Sequence, residues 1–223
     1  MRSRGVFYVV NANEIVSMTT DALSSSIPIL SGENRKRTTT SYTQTSLDGN
    51  SYVVYQTAVD PSNGGNATSV TQVQIGPNGA VAGQQDANDN GGYTSTLITD
   101  SLTIGPNGRM TSATGTLVFY DIGTDSAFVL GTNPAVPFGC VEQQSPGIDQ
   151  TTLSGSYFFG GGAPVAGASF DSGVANFNVA GPLSVTDDQT SPFGVGSTPL
   201  NLIYTVSSTP RPGAVAFQMG GPT

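Results

Sequence analysis

The chain has 223 residues, of which 36% are hydrophobic and only 10% are charged, and its formal net charge is −8. Its 7 Lys and Arg residues are too few to neutralise the phosphates of a nucleic acid, which excludes nucleic acid as a partner. The absence of His removes the commonest general base, and a single Cys excludes an internal disulfide and a cysteine-based zinc site. The polar surface must therefore consist of Ser, Thr, Asn, Gln and Gly, which is typical of extracellular β proteins.

The chain contains no apolar run long enough to cross a bilayer as a helix. Its first residues, MRSRGVFYVVNANE, have a basic start, but the apolar run GVFYVV is too short for the core of a signal peptide. We therefore expect no transmembrane segment. The composition favours an extracellular or cell-envelope location, in which case the signal peptide is absent from this chain.

Residues 5–45 contain three strand-like runs, which are GVFYVV, IVSMTT and IPILSGENRKR. β-branched and aromatic residues dominate these runs, and none has the spacing of a helix. The sequence therefore predicts three short strands at this end of the chain.

Residues 46–144 form the most complete unit, a succession of about eight short strands separated by turns. The pentapeptide Ile-Gly-Pro-Asn-Gly occurs at residues 75–79 and again at residues 104–108, each time between two β-branched runs. Proline restricts φ to a turn value, and Asn-Gly tolerates the positive φ that follows. Each copy therefore predicts the tip of a β-hairpin, and DANDNGG between them predicts a third turn.

Residues 151–223 begin the same pattern again and contain five predicted strands. The run TTLSGSYFFGG matches SLDGNSYVVYQ of the preceding unit, and VFYVVNANEIVSMTT near the start matches VFYDIGTDSAFVLGT. These matches indicate an internal repeat. Residues 5–45 then correspond to the last three strands of a unit, and residues 151–223 correspond to the first five.

Three strands and five strands together make eight, the number that closes a small antiparallel barrel. We therefore expect an all-β fold, an antiparallel up-and-down meander with two small eight-stranded barrel- or sandwich-like units. Residues 46–144 form one unit, and residues 5–45 with residues 151–223 form the other. The alternative is that both ends belong to a longer array and pair with neighbouring repeats, which leaves exposed edges in the isolated chain.

The segments GCVEQQSPGIDQTTLSGSYFFGG, TIGPNGRMTSATGTLVFY and DANDNGG resemble the repeats of large, uncharacterised, secreted or lipid-anchored proteins of acidobacterial-type soil bacteria. In that family a Leu-x-Gly-x-Tyr opening strand, turns rich in Asn and Gly, and a closing Glu-Gln strand recur. The resemblance covers most of the chain. It implies a cell-envelope or extracellular repeat protein, whose partners are neighbouring repeats or other envelope proteins, and it carries over no catalytic residues.

Asp86, Asn88, Asn90 and Gly91 fit the opening of a calcium loop, because oxygen ligands alternate there and Gly permits a sharp bend. The twelfth position of that loop is Leu97, where a bidentate Glu is needed. No flanking helices are predicted either. We therefore interpret the segment as a hairpin turn and expect no cofactor, with calcium as the alternative.

The sequence gives little support for a hydrolase. A Ser nucleophile needs a base, but the chain has no His, and its single Lys, Lys36, lies in a charge cluster. No pair of carboxylates stands out for glycoside chemistry. Cys140 lies in the strand-like run VPFGCVEQQ and is expected to be a small buried apolar residue.

We therefore expect a non-catalytic β module with a structural, adhesive or assembly role. The alternative is a lipocalin-like barrel that binds a small ligand or a glycan. The aromatic residues of the strands are expected to be mostly core. The candidates for ligand contact are Tyr157, Phe158 and Phe159, because Phe158 points away from its two neighbours and one of the two faces is then exposed.

Overall fold

The computed structural model describes residues 5–19, 31–59, 66–89, 91–132, 137–162, 170–191, 194–207 and 215–219. All strand pairs within these ranges are antiparallel, and neighbours in sequence are usually neighbours in a sheet. The predicted all-β antiparallel meander is therefore confirmed. No helix in the described ranges has the length and apolarity needed to cross a membrane.

The strands form three sheets. The first is a three-stranded sheet of β1 Gly5–Asn11, β2 Glu14–Thr19 and β3 Ser31–Arg35. The second is a closed eight-stranded barrel of β4 Ser51–Val59, β5 Asn66–Ile75, β6 Ala80–Asp89, β7 Gly92–Ile104, β8 Arg109–Ser112, β9 Leu117–Asp121, β10 Ser126–Gly131 and β11 Phe138–Gln143. The third is a five-stranded sheet of β12 Gly155–Gly162, β13 Phe170–Phe177, β14 Pro182–Ser191, β15 Gly194–Val206 and β16 Val215–Met219.

Both Ile-Gly-Pro-Asn-Gly segments form hairpin tips, as predicted. The Gly76 amide donates to the carbonyl of Ala80 at 2.6 Å, and the Gly105 amide donates to the carbonyl of Arg109 at 2.9 Å. Asn78 has a φ of 56°, which is the positive value that Asn tolerates better than most residues. The DANDNGG turn is tighter than the motif suggested, because β6 continues to Asp89.

The barrel closes where β11 pairs with β4, and this seam depends on a glycine. Gly139 lies opposite Gln56, and a Cβ at this position would lie 1.7 Å from the carbonyl oxygen of Tyr55. Any side chain would therefore push the two strands apart. Glycine at a barrel strand permits this close backbone approach.

The barrel core follows the two-residue alternation of its strands. Buried apolar side chains from all eight strands and from residues 42–47 form one cluster; those from outside the strands are Tyr42 and Leu47. The five-stranded sheet has a second, smaller cluster around Tyr204, Leu183 and Ala175. Burial of these faces is the main stabilising contribution to both sheets.

The two outer sheets are separate among the described residues. Phe7 lies in the three-stranded sheet and Tyr204 lies in the five-stranded sheet, and no described strand pair joins the two. The closed barrel accounts for one predicted unit. The second unit, residues 5–45 with residues 151–223, is not seen as a closed barrel and stays a prediction.

Candidate functional site

The segment between β3 and β4 covers one end of the barrel. We call this end of the barrel the floor. The floor is the end that carries the turns at residues 76–79, 105–108 and 122–125. Gln44 is its central contact: the Ile104 amide donates to Gln44 Oε1 at 3.0 Å, and Gln44 Nε2 donates to the carbonyl of Leu102 at 2.5 Å. Tyr42 and Leu47 are buried beside it. These contacts hold the segment against this end of the barrel.

A small cavity of about 100 Å³ lies in the barrel interior. Its wall is mostly apolar and includes Val54, Val73, Ile98 and Met110. Typical small-molecule pockets have volumes of about 300 to 1,000 Å³. The cavity is therefore large enough for a few water molecules or a very small ligand, and most of the interior is filled by side chains.

Two polar side chains in the wall of this cavity each have one buried atom without a hydrogen-bond partner among the described residues. They are Gln56, whose Nε2 is buried, and Asp121, whose Oδ2 is buried. Burial raises the pKa of the Asp121 carboxyl to about 7. Near neutral pH the carboxyl is therefore partly protonated, and it can donate or accept a hydrogen bond inside the cavity.

The sequence alone did not single out Asp121. The available signal was the alternation along β9, which puts Asp121 on the same face as the buried Phe119. An acid on the inward face of a barrel strand is unusual enough to mark a position for attention.

The outer wall of the barrel carries an apolar row that crosses five adjacent strands. Residues directly opposite one another on β9, β10, β11, β4 and β5 are Tyr120, Phe128, Cys140, Tyr55 and Val70. Tyr120 is 50% exposed and Tyr55 is 51% exposed. Leu130 and Phe138 lie opposite each other beside this row and are also exposed. We call these seven residues the apolar stripe.

The aromatic residues of the strands were expected to lie mostly in the core with an exposed subset, and Tyr55 and Tyr120 belong to the exposed subset. Both alternate with inward residues and face solvent. Cys140 is half-buried in the stripe rather than buried in the core, and burial raises the pKa of its thiol. The contiguity of the stripe depends on strand register, which the sequence does not reveal.

The predicted ligand-contact residues lie on β12. Phe158 is 85% exposed, whereas Phe159 is half-buried against the cluster around Tyr204. The Tyr157 ring packs edge-on against Phe177, with 5.2 Å between the ring centroids. The expected division into two faces is present, and a role in ligand binding stays a prediction.

The predicted calcium ligands lie at the tip of the β6–β7 hairpin. Tyr93 and Ser95 donate hydrogen bonds to Asp86 Oδ1 at 2.9 and 2.6 Å, and the Gly91 amide donates to Asn88 Oδ1 at 2.9 Å. Asn90 lies outside the described residues. No group of three or more His, Cys, Asp or Glu residues that could hold a metal ion occurs in the described part of the chain. The hydrogen bonds are those of a hairpin turn, and calcium binding stays an untested alternative.

Comparisons of this chain with protein-family models, with curated proteins and with solved structures find no match. The resemblance to acidobacterial-type repeat proteins is therefore still a hypothesis drawn from the sequence. The proposed function therefore depends on the barrel cavity and on the apolar stripe of the outer wall.

Proposed function

We propose that the protein is a non-catalytic assembly module of the cell envelope or extracellular space, whose barrel packs through the apolar stripe against another barrel of the same kind. The observation that carries this proposal is the stripe itself. Contiguous apolar patches on a soluble protein commonly mark interaction sites. The low charge of the chain supports a location outside the cytosol.

A second occurrence of the same pattern supports a contact between like units. Tyr8 lies opposite Val16 on β1 and β2, as Tyr120 lies opposite Phe128 on β9 and β10. Tyr8, Val16 and Met18 are all exposed. A patch that recurs at corresponding positions suits a self-complementary interface, in which the same surface serves both partners.

The small cavity volume inside the barrel supports a structural role rather than the carrying of a ligand. Side chains fill most of the interior, and the cavity that remains has a volume of about 100 Å³. A lipocalin-like carrier needs a larger cavity for its ligand. A hydrolase is supported less, because the cavity wall contains neither His nor Lys among its described residues.

Sedimentation velocity over a wide range of protein concentrations tests the proposal. The wild-type chain is expected to associate, and the double variant Tyr55→Lys/Tyr120→Lys is expected to stay monomeric, because two charges would have to be desolvated in the interface. The matched control is Leu97→Lys/Val195→Lys, which changes two exposed apolar residues outside the stripe. A wild-type chain that stays monomeric, or a control that loses association equally, would contradict the proposal.

The second candidate function is binding of a very small polar molecule in the barrel cavity. It is favoured by the two unpartnered groups, Gln56 Nε2 and Asp121 Oδ2. Short amides and alcohols are suitable probes, because each has an apolar body and a hydrogen-bonding group. A probe that binds should raise the melting temperature of the wild-type chain but not that of Gln56→Leu. No shift with any probe in the wild-type chain would exclude this function for those probes.

A further inference from the structure

The two outer sheets have unpaired edges and exposed apolar surface. In the three-stranded sheet, Phe7 is 68% exposed and Val9 is 67% exposed, although they lie on one face of β1. In the five-stranded sheet, β12 and β16 each pair on one side only among the described strands. Open edges of this kind are a liability that natural proteins usually cover.

The three-stranded sheet has the register of β9–β11. When the two Val-Phe-Tyr segments are superposed, the corresponding pairs in the first two strands are Phe7–Ser17 and Phe119–Val129. The corresponding pairs in the next two strands are Ser17–Gly32 and Val129–Gly139. The two sheets also share a main-chain hydrogen bond just beyond these pairs. The Lys36 amide donates to the carbonyl of Asn13, and the Gln143 amide donates to the carbonyl of Asp125.

The five-stranded sheet has the register of β4–β8. Gln150 Oε1 accepts from the Val206 amide at 2.9 Å and Gln150 Nε2 donates to the Tyr204 carbonyl at 3.4 Å, just as Gln44 bonds Ile104 and Leu102. β15 and β7 each have 13 residues, and their burial alternates in the same way. Each sheet also has a glycine with positive φ near the start of its first strand: Gly49 lies just before β4, and Gly155 is the first residue of β12.

We propose that the three-stranded sheet completes the five-stranded sheet of the same chain as a second eight-stranded barrel. The registers of the closed barrel define its two seams. β3 pairs with β12 so that Arg35 lies opposite Phe158, as Glu142 lies opposite Val53. β16 pairs with β1 so that Ala216 lies opposite Val6, as Thr111 lies opposite Val118.

The end of the three-stranded sheet and the start of the link to the five-stranded sheet both lie at the floor of the closed barrel. The two sheets are therefore within reach of each other. Arg35 Nη1 lies 3.3 Å from Glu142 Oε1, and the Gln144 amide donates to the Ser51 carbonyl at 2.8 Å. The end of β3 therefore lies beside β11, and the link to β12 begins beside β4, the strand that pairs with β11. Partners tethered this closely meet at an effective concentration of about millimolar, which favours the same chain over a second copy.

The contact between Arg35 and Glu142 also fits two barrels that face each other floor to floor. These residues occupy corresponding positions at the ends of β3 and β11. Contact between corresponding residues is the signature of an approximate twofold relation between two units. The proposal therefore places the two barrels on either side of this contact.

Engineered disulfides in the full chain test both seams, in a Cys140→Ala background that removes the native thiol. The seam pairs are Val6→Cys/Ala216→Cys and Arg35→Cys/Phe158→Cys. Their matched controls shift one partner by two residues on the same face, as Tyr8→Cys/Ala216→Cys and Glu33→Cys/Phe158→Cys. Diagonal neighbours at this shift are too far apart for a disulfide. Circular dichroism confirms that each variant folds.

Mild oxidation of dilute protein is expected to convert most of each seam variant to a monomer with one internal disulfide, detected by the loss of two thiols and faster migration without reductant. The controls should keep their thiols. Seam variants that stay reduced, or that react no more than their controls, would overturn the proposal. Disulfide-linked dimers as the main product would also overturn it, because the completing sheet would then come from a second copy.

Discussion

Gln44 and Gln150 make the same pair of main-chain hydrogen bonds in two different sheets. Each amide side chain accepts from one backbone amide and donates to the carbonyl two residues earlier, on β7 for Gln44 and on β15 for Gln150. Each glutamine belongs to the segment that precedes the first strand of its sheet. The link between units therefore also serves as the cap of the unit that follows it.

Replacement of Gln44 by Ala should destabilise the closed barrel by about 1 to 3 kcal/mol, because the Ile104 amide and the Leu102 carbonyl lose their partner in a partly buried place. Urea denaturation at constant pH measures the change. The equivalent variant Gln150→Ala should affect the five-stranded sheet in the same direction. A change of less than a few tenths of a kcal/mol for Gln44→Ala would show that water replaces the side chain at no cost.

Gly139→Ala should destabilise the barrel by about 3 kcal/mol or more, because the added methyl group cannot fit beside the Tyr55 carbonyl without moving β4 or β11. The matched control is Gly196→Ala, since a Cβ on Gly196 meets no atom within 4 Å. Thermal and chemical denaturation of both variants measures the difference. Equal stability of the two variants would contradict the described seam.

The buried Asp121 should make the stability of the protein depend on pH. Its pKa in the folded protein is about 7, above the ordinary value of 3.8, so the folded protein retains a proton that the unfolded chain has released between these values. The free energy of unfolding should therefore fall as the pH rises from about 4 towards 7 and then level off. Asp121→Asn should lack this component.

Asp149 is the comparison for Asp121, because its pKa is lowered whereas that of Asp121 is raised. Hydrogen bonds from the Thr151 hydroxyl and amide lower the pKa of Asp149. Its contribution to stability is present above its unfolded pKa and is lost as the pH falls, and Asp149→Asn should remove that loss. A difference between wild type and Asp121→Asn that does not change from pH 4 to pH 7 would contradict the burial of a free carboxyl.

Tyr204→Phe should destabilise the five-stranded sheet by about 1 to 2 kcal/mol. The Tyr204 hydroxyl is buried and lies 2.9 Å from the carbonyl oxygens of both Leu153 and Asn178, which share its single proton and would lose it in the variant. Tyr93→Phe is the matched control, because its hydroxyl bonds Asp86 at an exposed hairpin. Denaturation followed by near-ultraviolet circular dichroism reports both, and equal effects would argue against a structural role for the buried hydroxyl.

Much of the fold was predictable from local sequence. The two Ile-Gly-Pro-Asn-Gly segments encode their hairpins through Pro and Asn-Gly, and period-two alternation gives the strands between them. The closure of the barrel was predictable only as a strand count, because Gly139 shows its role only when it lies opposite Gln56. The DANDNGG turn was placed correctly but made too long, because pairing with β7 keeps Asp86 and Asn88 in β6.

The candidate sites were less predictable. The apolar stripe consists of residues far apart in sequence, and register brings Tyr55 beside Cys140. The cavity groups were missed for a related reason, since whether Asp121 is buried depends on how completely neighbouring strands enclose it. Tyr157, Phe158 and Phe159 were singled out because side chains alternate between the two faces of a strand, which can be inferred from the sequence without a structure.

Amide hydrogen exchange of the full chain, followed residue by residue by NMR, tests the second barrel most directly. If β3 pairs with β12 and β16 pairs with β1, alternate amides on the outer edges of β3 and β12 should exchange as slowly as those that join β11 to β4. Exchange of these edge amides at the rate of unpaired chain, while β4 and β11 remain protected, would contradict the second barrel. The chain would then contain a single closed barrel with two open sheets.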